Sequence, residues 1–416
     1  MGTLISDLFS KDWPRNAASE TEISHSHPDD VAAGIETSSE FKPFSQRNDM
    51  FMRAWWDETV HSPHTTAFFE SYRMDASPRK GEGFNQKDFA LRNAAWTVAD
   101  DYADRNVDKG MREGFSAPLQ PRIPKFSEAA DMGNPAQATD EIKKIARLFG
   151  ADLVGITRFD PRWQYSEAVD VRDMSAVPNP LPETITHVIV LGHGMDHDLV
   201  QTYPSALAGA AVGAGYSKEA VTAQQVSQYI LNLGYEAVAS MNDTALVIPY
   251  AVQAGLGEYG RNQMVITPEF GPRVRFSKIF TSLPLVTDKP TQHGIRQFCD
   301  ICTKCADACP PKALPYGPPS FDQPNRSSIS GVKKWTANCE KCFGYWAKLK
   351  SDCAICLRVC PFNKDYTRLI NRLFRSLATS RWRKLALWWD KKRDYGKRRR
   401  PRDWWRNLTS TKSPKT

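Results

Sequence analysis

No stretch of this chain is apolar for long enough to cross a bilayer as a helix. The longest nearly uncharged run of small apolar residues, 206–215, falls far short of the roughly 20 residues that a spanning helix needs. The opening MGTLISDLFSKDWPRNAASE shows neither a charged-then-apolar secretory pattern nor a twin-arginine pair, so the sequence predicts a cytoplasmic protein that is not exported. There is no P-loop and no D-x-H-x-x-G motif. G-x-G-x-x-G occurs once, as Gly255-Leu-Gly257-Glu-Tyr-Gly260, but behind a helical pattern, whereas a dinucleotide fingerprint follows a strand. Cysteine is confined to one region. All nine lie between positions 299 and 360, which excludes the spread framework of a disulfide-stapled secreted protein and points to metal ligation.

What is present suits a globular protein: 416 residues with 41% hydrophobic and 11% aromatic content can bury one large or two moderate cores. The net charge of +8 is uneven, because residues after Ser380 carry fourteen Lys and Arg against three Asp, while the rest of the chain is close to neutral. Such a tail is either solvated or drawn to an anionic membrane surface, and nucleic acid is not expected as its partner. Its tryptophans, Trp382, Trp388, Trp389, Trp404 and Trp405, are expected to pack on the body or at an interface.

Residues 1–40, polar and without periodicity, read as a disordered arm. Residues 41–139 form an aromatic-rich N-terminal module with a helix over 87–101. From 140 the pattern alternates: a helix ending at Gly150, the strand ADLVGIT, the strand HVIVLG, a helix capped by Ser217 and stopped by Gly234, the strand YEAVAS, and a helix over 245–254. A hairpin turning at Phe270-Gly271-Pro272 follows. This makes 140–290 an α/β layer, 291–366 a cysteine-dictated domain, and 367–416 a basic, Trp-rich tail.

The cysteines repeat one pattern 51 residues apart: Cys302-x2-Cys305-x3-Cys309-Pro310 and Cys353-x2-Cys356-x3-Cys360-Pro361. Cys299 completes the first as C-x2-C-x2-C-x3-C-P, the spacing of two-cluster ferredoxins, in which the fourth cysteine of each run crosses to the other cluster. Cys299, Cys302, Cys305 and Cys360 are thereby assigned to one 4Fe-4S cluster, and Cys309, Cys353 and Cys356 to a second. Lys350 stands where the second run would begin, so the eighth thiolate is Cys342 or Cys339. Zinc ribbons also use C-x2-C pairs but do not call for the x3-C-P extension. Residue spacing alone therefore gives a two-cluster electron conduit joined to a cofactor domain of unspecified kind.

The stretches AGLGEYGRNQMVITPEFGPRVRFSKIFTSLPL, FCDICTKCADACPPKAL and CEKCFGYWAKLKSDCAICLRVCPFNK resemble the corrinoid-dependent reductive dehalogenases, as do FKPFSQRNDMFMRAWWD, GFNQKDFALRNAAW and DYGKRRRPRDWW. The likeness spans roughly residues 41–406. It implies an α+β chain in which a nitroreductase-like α/β domain holds base-off cobalamin and is followed by a ferredoxin-like two-cluster domain. It places Tyr216, Asn242 and Arg275 at the catalytic face, Gly257, Arg261 and Thr267 at the cofactor, and Trp56, Trp96, Tyr102 and Trp335 along a substrate channel that Trp346 helps to close. It also selects Cys342 over Cys339 as the eighth cluster ligand, and leaves His193 and His197 without a role at cobalt.

The implied reaction replaces halogen by hydrogen in an organohalide, with Tyr216 donating the proton, Arg275 lowering its pKa and Asn242 orienting it. A low-potential donor (ferredoxin, flavoprotein or membrane quinol system) would supply the electrons, and the basic tail would touch the inner face of the membrane. An epoxyqueuosine reductase-like enzyme and a non-enzymatic electron carrier are the alternatives.

Overall fold

The computed structural model describes residues 27–73 and 81–407. Its centre is a four-stranded antiparallel sheet in the spatial order Leu153–Arg158, His187–Gly194, Val274–Thr281, Ala237–Ser240. Successive residues of a strand face opposite sides, and the sequence exploits this. Ile189, Leu191 and Ile279 enter one core with Ala220, Ala223 and Val226, while Val188, Val190, Phe276 and Phe280 enter another with Trp163 and Tyr250. Both faces of the central strands are covered, which is why HVIVLG is apolar throughout rather than alternating.

The first of these cores lies beneath the helix Ala206–Asn232, which is longer than expected. Ser205, not Ser217, is its N-cap, accepting from the Ala208 amide. Ser217 sits inside the helix and donates to the carbonyl of Ala95 at 2.7 Å. The run of small residues is the surface on which the helix Gln86–Asp104 packs. A Cβ on Gly213 would come within 2.5 Å of the Trp96 ring, and one on Gly209 within 2.9 Å of the Arg92 side chain. Absence of side chain is here what lets two helices approach.

The expected hairpin is also rearranged. Val265–Ile266 pairs with Glu258–Tyr259, whereas Val274–Thr281 is taken into the middle of the large sheet, since its residues are buried on both faces. The turn itself is real: Gly271 has φ +62°, and a Cβ there would meet the Phe362 carbonyl at 2.2 Å. That contact sets the turn against the backbone just after Cys360 and Pro361.

Of the expected arm, residues 1–26 lie outside the described residues, and 27–40 run over the surface, held to the body at particular residues. Asp30 is buried and accepts two hydrogen bonds from Arg162, both at 2.8 Å, and Thr37 bridges to Val332. The C-terminal segment is likewise helical to Asn407, over Leu369–Ala378, Arg383–Lys392 and Pro401–Asn407. Asp390 is buried between Lys364, at 2.8 Å, and Lys304, and Trp405 donates to Asp88 at 2.9 Å. Trp382 and Trp388 stay 53% and 56% exposed.

Candidate active site and cluster-binding segment

All nine cysteines are free thiols. Among the described residues no three His, Cys, Asp or Glu side chains converge as a single metal ion would require. The thiols fall instead into two neighbourhoods. Cys299 feels the charges of Cys360, Cys302 and Cys305, and Cys299, Cys302 and Cys360 share a core with Phe298, Trp335 and Phe362. Cys342 feels Cys353, Cys339 and Cys309, and Cys356 feels Cys342, Cys353, Cys305 and Cys309. Cys339 answers chiefly to its own burial and to Lys334, and its sulfur faces the Ala337 and Ser327 carbonyls. Cys305 stands between the two, felt by both Cys299 and Cys356 and packed with Cys309, Cys342, Cys353 and Cys356. Burial pushes Cys305 and Cys342 up to about 12 and Cys353 to about 11. Such thiols give up their protons to a metal rather than to water.

Arg261, expected at the cofactor, does other work. It is 2% exposed, and its guanidinium donates to the carbonyls of Cys299 (2.9 Å), Cys302 (3.0 Å), Pro315 (3.0 Å) and Gly317 (2.7 Å). It thus ties the end of the helix Ile295–Ile301, with Cys299 and Cys302, to the segment around Pro315 and Gly317. Trp335, expected in the channel, packs against this arginine, 5.1 Å from the guanidinium, and donates to the Gly317 carbonyl. Gly257 and Thr267 are likewise structural: a Cβ on Gly257 would meet the Ile266 carbonyl at 2.5 Å, and the Thr267 hydroxyl caps the turn through the Phe270 amide. Trp56 lies between Arg47 and Arg326, and Tyr102 under Arg105.

The other expected residues do meet. Tyr216 projects from the long helix, Arg275 from the central strand and Asn242 from the loop after Ala237–Ser240. The Asn242 side-chain amide donates to the Tyr216 hydroxyl at 2.8 Å, and the Arg275 guanidinium lies 3.7 Å from the centre of the Tyr216 ring. Trp96 stacks on that ring at 4.5 Å. Asn242 is held on all sides. Its amide donates to Gly114, its carbonyl accepts from Tyr165, and the buried Lys278 ammonium grips the carbonyls of Met241 (2.7 Å) and Asp243 (2.9 Å) that flank it. Burial pulls Lys278 down to about 8.

Tyr216 departs from expectation in one respect. Burial raises its pKa, and the opposing pulls of Arg275 and Asn242 do not overcome that. The phenol therefore rests protonated. Sequence reading missed Glu219, one helical turn beyond Tyr216, wholly buried and 3.6 Å from Arg275. Its spacing of three residues from Tyr216 along the helix was the available signal. His193 pairs with Arg275 across the two strands, contacts Thr222 at 3.1 Å, and is held neutral by burial, its pKa lowered to about 4.

Between this site and the second thiol set lie buried polar atoms without a protein partner, among them the Tyr203 hydroxyl and one Asp352 carboxylate oxygen. Both side chains feel Arg275, and Tyr203 also feels Cys353 and Cys356. Buried polar atoms are nearly always satisfied, so a seam of them fits a cofactor with a polar rim.

The family model of the 4Fe-4S double cluster binding domain matches residues 298–363, and that of the reductive dehalogenase subunit matches residues 167–285. The tetrachloroethene reductive dehalogenase of Desulfitobacterium hafniense is 33% identical over 371 residues, covering 73% of this chain and 67% of that protein. This chain belongs to the reductive dehalogenase family. The enzyme of the same name from Sulfurospirillum multivorans is 38% identical over 259 residues, 56% of this chain and 52% of its own. The solved structure of the catabolic reductive dehalogenase NpRdhA superposes with a TM-score of 0.68 at 21% identity, over 88% of this chain and 48% of that one, which establishes the shared fold. This reductive dehalogenase homologue thus spans about half the length of some of the relatives it matches, and it carries the double 4Fe-4S cluster domain within that span.

Proposed function

We propose that the chain catalyses R–X + 2e⁻ + H⁺ → R–H + X⁻ on an organohalide, with electrons arriving singly through the two clusters. The observation that carries this reading is the meeting of Tyr216, Asn242 and Arg275 in a chain that also gathers its cysteine thiols into two adjoining neighbourhoods. The layer of a long helix on an antiparallel sheet supports a nitroreductase-like reading of residues 140–290. One solved structure of the same fold, described in terms of B12-dependent dehalogenation, motivates a corrinoid, whose polar rim Tyr203 and Asp352 would hold. When bound, it supplies a strongly reducing cobalt that breaks the carbon–halogen bond.

The protein's own contribution is the proton. Because Asn242 donates to the Tyr216 oxygen, the phenol's hydrogen is left free to point at the substrate carbon. Its raised pKa keeps that hydrogen in place until carbon becomes basic. The Arg275 cation beside the ring then stabilises the phenolate. Trp96 fixes the ring plane. The electron donor is a low-potential carrier, and the exposed Trp382 and Trp388 among tail lysines and arginines favour contact with an anionic membrane surface.

The test is anaerobic reconstitution with iron, sulfide and cobalamin, followed by halide release from a panel of halophenols, haloalkenes and haloalkanes with a chemical reductant. Halide release dependent on both cofactors is expected. Loaded protein that releases none, or that instead reduces an epoxyqueuosine-bearing RNA, would overturn the reading.

A further inference from the structure

Glu219 is 0% exposed, and neither carboxylate oxygen accepts a hydrogen bond. A buried carboxylate without donors is strongly unfavourable, and one paired with a cation normally closes to bidentate contact. Here the nearest cation, Arg275, stands at 3.6 Å with its Nε also unpartnered. A Gln at this position would fill the same volume without the charge. At 3.6 Å the pair is too open for bidentate contact, so the buried carboxylate acts on the guanidinium as a nearby charge rather than through a close hydrogen bond. Tyr216 and Glu219 lie three residues apart on one helix, so they are neighbours on one face. Arg275 reaches both, the ring at 3.7 Å and the carboxylate at 3.6 Å. A Cβ on Gly215 would strike Arg275 at 2.6 Å, so the helix is cut away where the arginine stem passes.

We propose that Glu219 is a positioning residue: its carboxylate is the counter-ion that holds the Arg275 guanidinium against the Tyr216 ring, and so sets where the phenol's proton is delivered. This rests on the function proposed above. Arginine is long and rotamer-rich, so the aromatic face alone does not fix where along it the guanidinium rests, and a fixed counter-charge does. The groups facing Glu219 are Arg275 and Lys278 of the central strand and Tyr216 of its own helix. His193 of the adjacent strand stands opposite Arg275 and is neutral. Burial raises Glu219 to about 7, against the pull of Arg275 and Lys278, so the anchor carries its charge fully only above neutrality.

The test uses holoenzyme with both clusters and corrinoid loaded. Glu219→Gln should keep iron and cobalt content and KM, and lose about 10²-fold in kcat, the effect of displacing a reacting group by roughly 1 Å. Arg275→Gln should lose at least as much, and the double variant no more than Arg275→Gln alone. Glu219→Asp, shorter but charged, should recover part of the loss. Full kcat in Glu219→Gln, or losses that multiply in the double variant, would overturn the proposal. Infrared difference spectra follow Glu219 without turnover. A carboxyl band titrating near pH 7 should vanish in Glu219→Gln and titrate at higher pH in Arg275→Gln, because the cation that favours ionisation is gone. A band indifferent to Arg275→Gln would also overturn the pairing, whereas a wild type that releases no halide overturns the proposed function alone.

Discussion

Asn242 donates its side-chain hydrogen to the Tyr216 hydroxyl at 2.8 Å, which makes the tyrosine oxygen an acceptor and frees its own hydrogen. Tyr216→Phe keeps the stack on Trp96 and the contact with Arg275 but removes that hydrogen. Cluster and corrinoid content should be unchanged, and turnover should fall about 10²- to 10⁴-fold. Unchanged turnover with cobalt bound would remove Tyr216 from the proton's path.

The two partly buried cysteines at the head of the helix Cys339–Leu349 should behave differently. Cys342→Ser should lose one cluster, lowering iron from about eight to about four per chain, because Cys342 faces Cys309 and Cys353. Cys339→Ser should retain both. Iron and acid-labile sulfide analysis after anaerobic reconstitution checks this, and reversed outcomes would exchange the two assignments.

Arg261→Met should empty the first cluster while sparing the second. Removing the guanidinium leaves the carbonyls of Cys299, Cys302, Pro315 and Gly317 buried without a donor, at about 1–3 kcal/mol for each that water cannot reach. Electron paramagnetic resonance of the reduced protein distinguishes loss of one cluster from loss of two.

His193 makes the fold acid-sensitive. The folded state holds a neutral imidazole with its pKa lowered from 6.5 to about 4, so the unfolded chain binds the extra proton between those values. Stability should therefore fall as pH drops through this window, by about 2 kcal/mol at pH 5 from this group. The full penalty is reached below about 4. Denaturant midpoints at pH 7 and pH 5 should differ less in His193→Gln than in the wild type, and an equal difference would remove His193 as the cause.

The exposed Trp382 and Trp388 should bring the protein to vesicles containing anionic lipid at low salt, and added salt should release it. Replacing both by Ala should weaken binding without changing iron content. Equal binding to neutral vesicles, or none to anionic ones, would contradict the membrane reading.

The double-cluster domain was legible because cubane ligation by close cysteines is a matter of local spacing, and two short runs of cysteines mark it. The strands 187–194 and 237–240 were legible because apolar continuity and β-branching mark buried strands. Resemblance brought Tyr216, Asn242 and Arg275 together before geometry did. What sequence could not decide was everything fixed by distant partners. Arg261 reads as a cofactor contact by resemblance until four carbonyls from residues 299–317 surround it. The small residues of 206–215 read only as a short apolar run ahead of a helix until Trp96 and Arg92 occupy the space they leave. Val274–Thr281 reads as half a hairpin until the sheet takes it into its middle, and Glu219 reads as one more helix glutamate until the strand behind it delivers Arg275. Local spacing determines which elements form and which thiols can share a cluster. Only the packing of one element on another decides what a buried charge must answer to, because the energy of that charge depends on neighbours hundreds of bonds away along the chain.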